Sequence, residues 1–397
     1  MAVLVPAALS SLALATGCFA ARPSGGATTQ SQSQPQPPPP LTASGIAALL
    51  PDQVRDRAAW GDAIARALAA NELPLERASA CAVVAVIAQE SGFAADPSVP
   101  GLAAIAAARI DRYKARLGPF GDPLFERLLS GRAPDDPRSF RQRLAGLRTE
   151  RDADLLFRDL LAYYEVNHPT LYTAAEWAGK LNDPDGLAAL NPITTAGSMQ
   201  VSVRFAEDWA RAHKGKTATP ASVRDALYTR PGGVYYGTAR LLSYPVRYDS
   251  ALFRFADYNA GLYASRNAAI QAQLSRLTGR KLTLDGDLLS YDRSGQPKDD
   301  QSESERAVQA FAQRFAPRLS AGDIRRDLLV EKTLVFEETE TYQAIQTVAL
   351  QKGGHAEYAT LPQVAVSSPK MKGTRSTAWF AQSVDRRYQA CVSRAGR

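Results

Sequence analysis

The chain has 397 residues, of which 45% are hydrophobic, so it is long enough to bury a sizeable core in one large domain or two. Its net charge of +7 arises from 47 basic and 40 acidic residues spread along the sequence. There is no basic stripe interleaved with aromatic residues, no Gly-rich phosphate loop and no Cys/His cluster, which argues against a nucleic-acid partner, a nucleotide site and a metal site.

The chain opens with an uncharged apolar segment, residues 2–17, which is short for a membrane span and suits the apolar part of a secretory signal. Small residues then precede Cys18, a pattern that resembles the bacterial lipobox, in which the cysteine is lipidated. We expect a lipoprotein signal at 1–18, with a plain cleaved signal peptide as the alternative. By the same resemblance, Phe19 after the cysteine favours the outer membrane.

Residues 19–43 are rich in Gly, Ser, Gln and Pro and include the run QPQPPPP. Such a composition cannot bury a core, and consecutive prolines favour an extended, stiff chain. We expect a tether that joins the lipid anchor to a folded body beginning near residue 44.

One apolar stretch ends on a carboxylic acid. Residues 82–97 read AVVAVIAQESGFAADP, and the segment from Ala78 to Gln89 has no polar side, which predicts a helix buried on all sides. Glu90 lies at the exit of that helix, with Gly92 placed to end it. Burial penalises the charged carboxylate, so we expect a raised pKa and a group able to act as a general acid. The alternative is an ordinary surface glutamate.

Amphipathic periodicity predicts helices in most of the remaining chain. Between residues 101 and 185 the predicted helices are Leu102–Leu117, Pro123–Leu129, Ser139–Arg148, Asp152–Glu165 and Leu171–Leu181. Further on they are Ser202–His213, Ala221–Leu227, Tyr235–Leu242, Ala251–Tyr258, Ser265–Leu277, Glu303–Phe315, Ala321–Leu328, Glu338–Leu350 and Ser376–Val392. The glycines after Pro231 predict a break, and residues 281–291, KLTLDGDLLSY, predict a small β-hairpin around an Asp-Gly turn.

Three short segments resemble, in their order, the lytic transglycosylases, lysozyme-like enzymes that cut bacterial peptidoglycan. They are QESGF at 89–93, GSMQ at 197–200 and YNAG at 258–261. The resemblance covers about residues 74–97 and 186–278. This chain departs from the family pattern because more than one hundred residues separate the first two motifs, whereas in most members the second motif follows the glutamate closely.

The resemblance implies that Glu90 is the catalytic residue and that the other motif positions shape the cleft or bind substrate: Ser91, Gly197, Met199, Gln200, Tyr258 and Asn259. Enzymes of this family cleave the MurNAc-β-1,4-GlcNAc bond with one glutamate. It protonates the leaving oxygen and then accepts the proton of the C6 hydroxyl, which closes a 1,6-anhydro ring. The implied partner is the peptidoglycan glycan strand, and no cofactor is implied.

Two other functions stay open. A hydrolysing muramidase needs a second carboxylate across the cleft, for which Asp96 and Asp257 are the nearest candidates in sequence. A non-catalytic, wall-binding lipoprotein on the same fold is the second alternative.

The predicted architecture is mainly α: a lysozyme-like helical domain at 44–397 with inserted helices at about 101–185 and a C-terminal extension at about 279–397. Its expected location is the bacterial cell envelope, with the membrane reached through the lipid on Cys18. Cys81 and Cys391 either pair or remain free. Because Cys81 falls in the buried apolar helix, the free form is favoured here.

Overall fold

The structure is a computed structural model that describes residues 39–116, 118–180, 186–292, 295–353, 355–366 and 375–394. The predicted signal sequence, Cys18 and nearly all of the predicted tether lie outside these residues. From Pro40 onward the chain clusters as one compact unit.

The described chain is mainly helical, which confirms the mainly α part of the predicted fold class. Its α-helices are α1 Ala43–Leu49, α2 Arg57–Ala70, α3 Arg77–Glu90, α4 Leu102–Arg116, α5 Gly121–Ser130, α6 Phe140–Ala145, α7 Glu150–Asn167, α8 Pro169–Lys180, α9 Val203–Lys214, α10 Pro220–Leu227, α11 Arg230–Leu242, α12 Ala251–Ala260, α13 Ala264–Thr278, α14 Glu303–Phe315, α15 Ala321–Leu328, α16 Glu340–Gly353 and α17 Thr377–Ser393. Short 3-10 turns lie at Gly118–Phe120, Gly186–Leu190, Gly215–Thr217 and Leu334–Glu338.

Two antiparallel pairs of very short strands accompany the helices: β1 Thr195–Ala196 with β2 Val201–Ser202, and β3 Ala365–Val366 with β4 Arg375–Ser376. In the first pair Thr195 is opposite Ser202 and Ala196 is opposite Val201. The turn between β1 and β2 therefore contains the whole GSMQ segment.

The predicted break at residues 231–233 is in fact the first turn of α11. Thr229 caps the helix by accepting a hydrogen bond from the Gly232 backbone N–H at 3.1 Å, and Pro231 is compatible with a first helical turn. A Cβ on Gly232 would lie 2.1 Å from the Ala226 carbonyl oxygen, so glycine is needed where α11 starts against α10.

The β-hairpin predicted at residues 281–291 does not form, because this segment contains no paired strands. Its backbone N–H groups are bound by buried side chains instead. The carboxylate of Glu331 accepts from the N–H groups of Leu288 at 2.6 Å and Leu289 at 3.1 Å. Gln271 accepts from the Gly286 N–H at 3.0 Å. These long-range partners replace the ladder that a hairpin would supply.

Two hydrophobic cores lie within the compact unit. The larger one surrounds α3 and draws on α2, α11, α12 and α17. The smaller one is formed by α13 to α16 and the loop after α13, with Phe311 and Phe336 fully buried in it. The last helix, α17, packs against both α3 and α12, so it belongs to the larger core although it lies within the predicted C-terminal extension.

Cys81 and Cys391 form a disulfide, with their Cα atoms 5.5 Å apart. The preference for a free Cys81 was therefore wrong. Burial in an apolar helix does not prevent pairing here, because α17 packs directly on α3 and brings Cys391, itself fully buried, to the same place.

Candidate active site

Helix α3 is a buried rod that ends at Glu90. Every residue from Ala80 to Ile87 is at most 4% exposed. The sequence is apolar around the whole helix because α2, α11 and α17 all pack against it. Glu90, the last helical residue, is only partly exposed, as the sequence predicted.

The turn after Glu90 is held in an unusual backbone conformation. Gly92 has φ +58° and Phe93 has φ +67°, and the left-handed region is costly for a non-glycine residue. The Phe93 ring meets Trp60 edge to face, with ring centroids 5.4 Å apart. The Ser91 hydroxyl donates to the Ile87 carbonyl at 3.2 Å, so this side chain closes the end of the helix.

The GSMQ turn lies against α10 and α11. Gly197 has φ +79°, and a Cβ there would lie 2.1 Å from the Leu227 carbonyl oxygen, so no other residue fits. Met199 is fully buried and packs against Gly237, where a Cβ would lie 2.3 Å from its sulfur. The packing shows a tight turn and a core methionine, and a role of these two residues in the wall of a cleft stays a prediction.

Gln200 is directed into the protein by three hydrogen bonds. Its Nε2 donates to the Glu150 carboxylate at 2.8 Å and to the Gly197 carbonyl at 3.3 Å, while its Oε1 accepts from the Thr195 hydroxyl at 3.1 Å. The backbone of Gln200 is also left-handed, with φ +50°. These contacts make Gln200 a residue that orients the turn and Glu150.

The third motif joins the second through Tyr258. The buried Tyr258 hydroxyl donates to the Met199 carbonyl at 2.7 Å. Burial raises the pKa of Tyr258 well above its usual value, and the nearby charge of Glu90 raises it further. Asn259 is exposed beside it and accepts a hydrogen bond from the Thr377 hydroxyl of α17 at 3.2 Å.

The structure thus brings together the predicted residues Glu90, Gly197, Met199, Gln200 and Tyr258. Ser91 and Asn259 lie next to this group in the chain. Tyr258 approaches Glu90 closely enough to interact electrostatically, but its hydroxyl hydrogen bond goes to the GSMQ turn.

The two aspartates considered as a second carboxylate are placed differently. Asp257 is fully buried, and its carboxylate accepts hydrogen bonds from Tyr248 at 2.7 Å, Tyr244 at 3.2 Å and the Ser265 backbone N–H at 2.6 Å. It anchors the loop between α12 and α13. Asp96 lies in the segment between α3 and α4 and interacts with Thr149 and Arg151 at the start of α7, and burial raises its pKa above the usual value.

Sequence reasoning missed Glu150, which is 2% exposed and begins α7 inside the predicted insertion. The negative charge of its carboxylate affects the pKa of Glu90. Burial is the main cause that raises the pKa of Glu90 from 4.5 to about 8, and the negative charge of Glu150 is the second. The sequence marks this helix start with a capping box between Thr149 and Asp152, but nothing local shows that the start faces Glu90.

No group of three or more His, Cys, Asp or Glu side chains is placed to hold a metal ion within the part of the chain that the structure describes. In the same residues, no helix combines the length and apolarity that crossing a bilayer requires.

A family model described as "Protein of unknown function (DUF1615)" matches residues 53–394. A protein of Escherichia coli (strain K12), named "Uncharacterized protein YaiW", is 36% identical over 351 residues, which covers 88% of this chain and 89% of that protein. No solved structure matches the chain significantly. The matched region contains Glu90, Glu150 and both later motifs. Because the family model matches most of the chain, the chain belongs to the DUF1615 family.

Proposed function

We propose that this protein is a peptidoglycan lytic transglycosylase that cleaves the MurNAc-β-1,4-GlcNAc bond and leaves a 1,6-anhydro-MurNAc end. One observation carries the proposal. Three motifs, at residues 89–93, 197–200 and 258–261, come from distant parts of the chain and meet at a partly exposed carboxyl group at the end of a buried helix. The lysozyme-like character of the fold is part of the same proposal.

The first chemical step needs a proton on the leaving oxygen. With a pKa raised to about 8, Glu90 holds its proton at neutral pH. It donates that proton to O4 of the leaving GlcNAc as the bond between C1 and O4 breaks. Positive charge then develops at C1 of the muramyl residue, where the substrate's own N-acetyl group supports it.

The second step returns the proton to Glu90. The carboxylate accepts the proton of the muramyl C6 hydroxyl while O6 bonds to C1, which closes the anhydro ring and consumes no water. One group acts first as an acid and then as a base, so its pKa must lie near the working pH. The raised pKa of Glu90 meets this condition.

The remaining motif residues support Glu90 in this proposal. Gly197 and Met199 form a rigid wall, and Tyr258 fixes that wall to α12 through the Met199 carbonyl. Asn259, exposed at the end of α12, is placed to bond a substrate hydroxyl or acetamido group. Ser91 closes the end of α3 through its bond to the Ile87 carbonyl, which fixes the backbone beside Glu90.

We also propose that the protein works at the cell envelope, held by a lipid on Cys18 and a proline-rich tether to the periplasmic face of the outer membrane. Proline-rich linkers act as semi-rigid spacers. It would let the enzyme reach glycan strands while the anchor stays in the membrane.

The full chain and its Glu90→Gln variant are incubated with purified peptidoglycan, and the released muropeptides are identified by mass spectrometry. Glutamine keeps the shape of the side chain and cannot donate the proton. We expect anhydro-muramyl ends from the wild type and none from Glu90→Gln. Glu165→Gln, on the exposed side of α7, is a matched control and should behave as the wild type does.

Reducing ends released by the wild type would show hydrolysis, and the proposed function would then be that of a hydrolysing muramidase. Binding to peptidoglycan without any release would favour a wall-binding lipoprotein on this fold. Equal release by the wild type and Glu90→Gln would remove Glu90 from the mechanism.

A further inference from the structure

We propose that Glu150 is a second carboxylate of this site, a positioning residue that the helical insertion carries to Glu90. The inference rests on the proposed role of Glu90, and it identifies Glu150 as the residue whose charge acts on Glu90. It also gives the insertion between the first two motifs a function, since α7 begins inside that insertion.

The insertion is attached to the first motif at the point where α7 starts. Ser98 and Thr149 form an antiparallel β-bridge, and the Val99 N–H donates to the Arg148 carbonyl at 2.8 Å. Asp152 then accepts from the backbone N–H groups of both Arg148 and Thr149, at 2.9 and 3.0 Å. The chain that follows Glu90 therefore fixes where α7 begins.

The same helix is attached to the second motif. Gln200 donates to Glu150 at 2.8 Å. One turn further along, the fully buried Asp154 accepts from the Asn191 side chain at 2.7 Å and pairs with Arg224 at 2.8 Å. Glu150 thus lies between the first and second motifs, bound on both sides, and is not a solvated surface glutamate.

The surroundings of the two carboxyl groups differ. Glu150 accepts a hydrogen bond from Gln200 and occupies the first position of an 18-residue helix, where backbone N–H groups and the helix dipole lie beside its carboxylate. For Glu90 burial and the charge of Glu150 act in the same direction, and both favour the protonated acid.

Two tyrosines face this pair. Tyr258 of α12 faces Glu90, and Tyr228, at the end of α10, faces Glu150. Both phenols have a pKa above the usual value, so they stay neutral near neutral pH. The charge that Glu90 experiences from its neighbours is therefore mainly that of Glu150.

Glu150 exchanges no proton in this scheme. Its negative charge keeps Glu90 protonated before cleavage, and it also favours the positive charge that develops at C1 as the leaving group departs. Through Gln200 it holds the turn that forms the wall of the site.

The test compares the full chain with Glu150→Gln, in which the amide oxygen can still accept the bond from Gln200. The titration of Glu90 is followed by carbon NMR of labelled glutamate, with Glu90→Gln identifying the resonance. We expect the Glu90 midpoint to fall by about one pH unit when the neighbouring charge is removed. The pH at which anhydro-muropeptide release declines on the alkaline side should fall by the same amount.

Glu150→Asp keeps the charge on a shorter side chain, which sets it farther from Glu90, and should lower the Glu90 midpoint below that of the wild type by less than one pH unit. It therefore tests the proposal also if Glu150→Gln does not fold. Glu165→Gln is the control, because it lies about 22 Å along α7 at 1.5 Å per residue, where its charge is screened. An unchanged Glu90 midpoint in Glu150→Gln overturns the proposal. If the Glu90 midpoint shifts in Glu150→Gln but the wild type releases no anhydro ends, the transglycosylase alone is refuted and the pair of carboxylates stays supported.

Discussion

The raised pKa of Glu90 predicts how the stability of the protein depends on pH, independently of any activity. In the unfolded chain this carboxyl titrates near 4.5, and in the folded protein near 8. Below pH 4.5 it is protonated in both states and has no effect on stability. Between those values only the unfolded chain ionises, so the free energy of unfolding falls as the pH rises, and the full loss is reached above pH 8.

The size of this loss follows from the two pKa values. Their difference, at about 1.4 kcal/mol per pH unit, corresponds to about 5 kcal/mol. The side chain is partly exposed, and solvent screening reduces that value, so we expect about 2–4 kcal/mol at pH 9. Glu90→Gln cannot ionise and should be more stable than the wild type by this amount.

Urea unfolding of the wild type, Glu90→Gln and Glu165→Gln at pH 5, 7 and 9 measures the effect. The advantage of Glu90→Gln should be small at pH 5 and should grow at each higher pH, while Glu165→Gln follows the wild type throughout. An advantage that does not change with pH would show that Glu90 titrates normally, and the reasoning about a protonated acid would fail with it.

Three further outcomes are expected. Cys391→Ala removes the disulfide and should lower the free energy of unfolding by about 2–5 kcal/mol, as measured by urea unfolding, and a reducing agent should destabilise the wild type but not the variant. Gly197→Ala places a Cβ 2.1 Å from a backbone carbonyl oxygen at φ +79° and should lower the free energy of unfolding by about 2–4 kcal/mol. Gly92→Ala, where φ is +58° and no atom lies within 4 Å of the added Cβ, should lower it by about 1 kcal/mol. Equal losses in the two variants would contradict the contact at Gly197. Tyr258→Phe removes the hydrogen bond to the Met199 carbonyl and should cost about 1–2 kcal/mol in the same assay. A stability equal to the wild type would mean that this bond contributes nothing.

Helices with strong local signals could be predicted from the sequence to the residue. Glu303–Phe315 and Ala321–Leu328 were predicted with the bounds that the structure has. In each, the serine just before the helix accepts a hydrogen bond from a backbone N–H in the first turn, Ser302 from Glu305 and Ser320 from Asp323. Caps of this kind depend on three or four consecutive residues, so they can be read from the sequence alone.

The features that sequence reasoning missed depend on distant partners. Glu331 is about forty residues beyond the backbone N–H groups of the segment at 281–291 that it binds, so the local alternation of apolar residues misled the prediction. Glu150 becomes part of the site only because the insertion returns to the end of α3. The disulfide joins residues 310 positions apart. No local pattern encodes such contacts, whereas the partial burial of Glu90 follows from the apolar segment that directly precedes it.

The packing of α17 on α3 also has a consequence for biosynthesis. The helix that carries Glu90 is made early, but one of the helices that pack on it is α17, which also carries Cys391, the partner of Cys81, 310 residues later. At a synthesis rate of about 5–20 residues per second, roughly 15–60 s separate the two cysteines. During that time the face of α3 that α17 covers has no native neighbour, and the Cys81 thiol has no native partner. The site can therefore assemble only after synthesis reaches α17, and a nascent chain needs protection from aggregation until then.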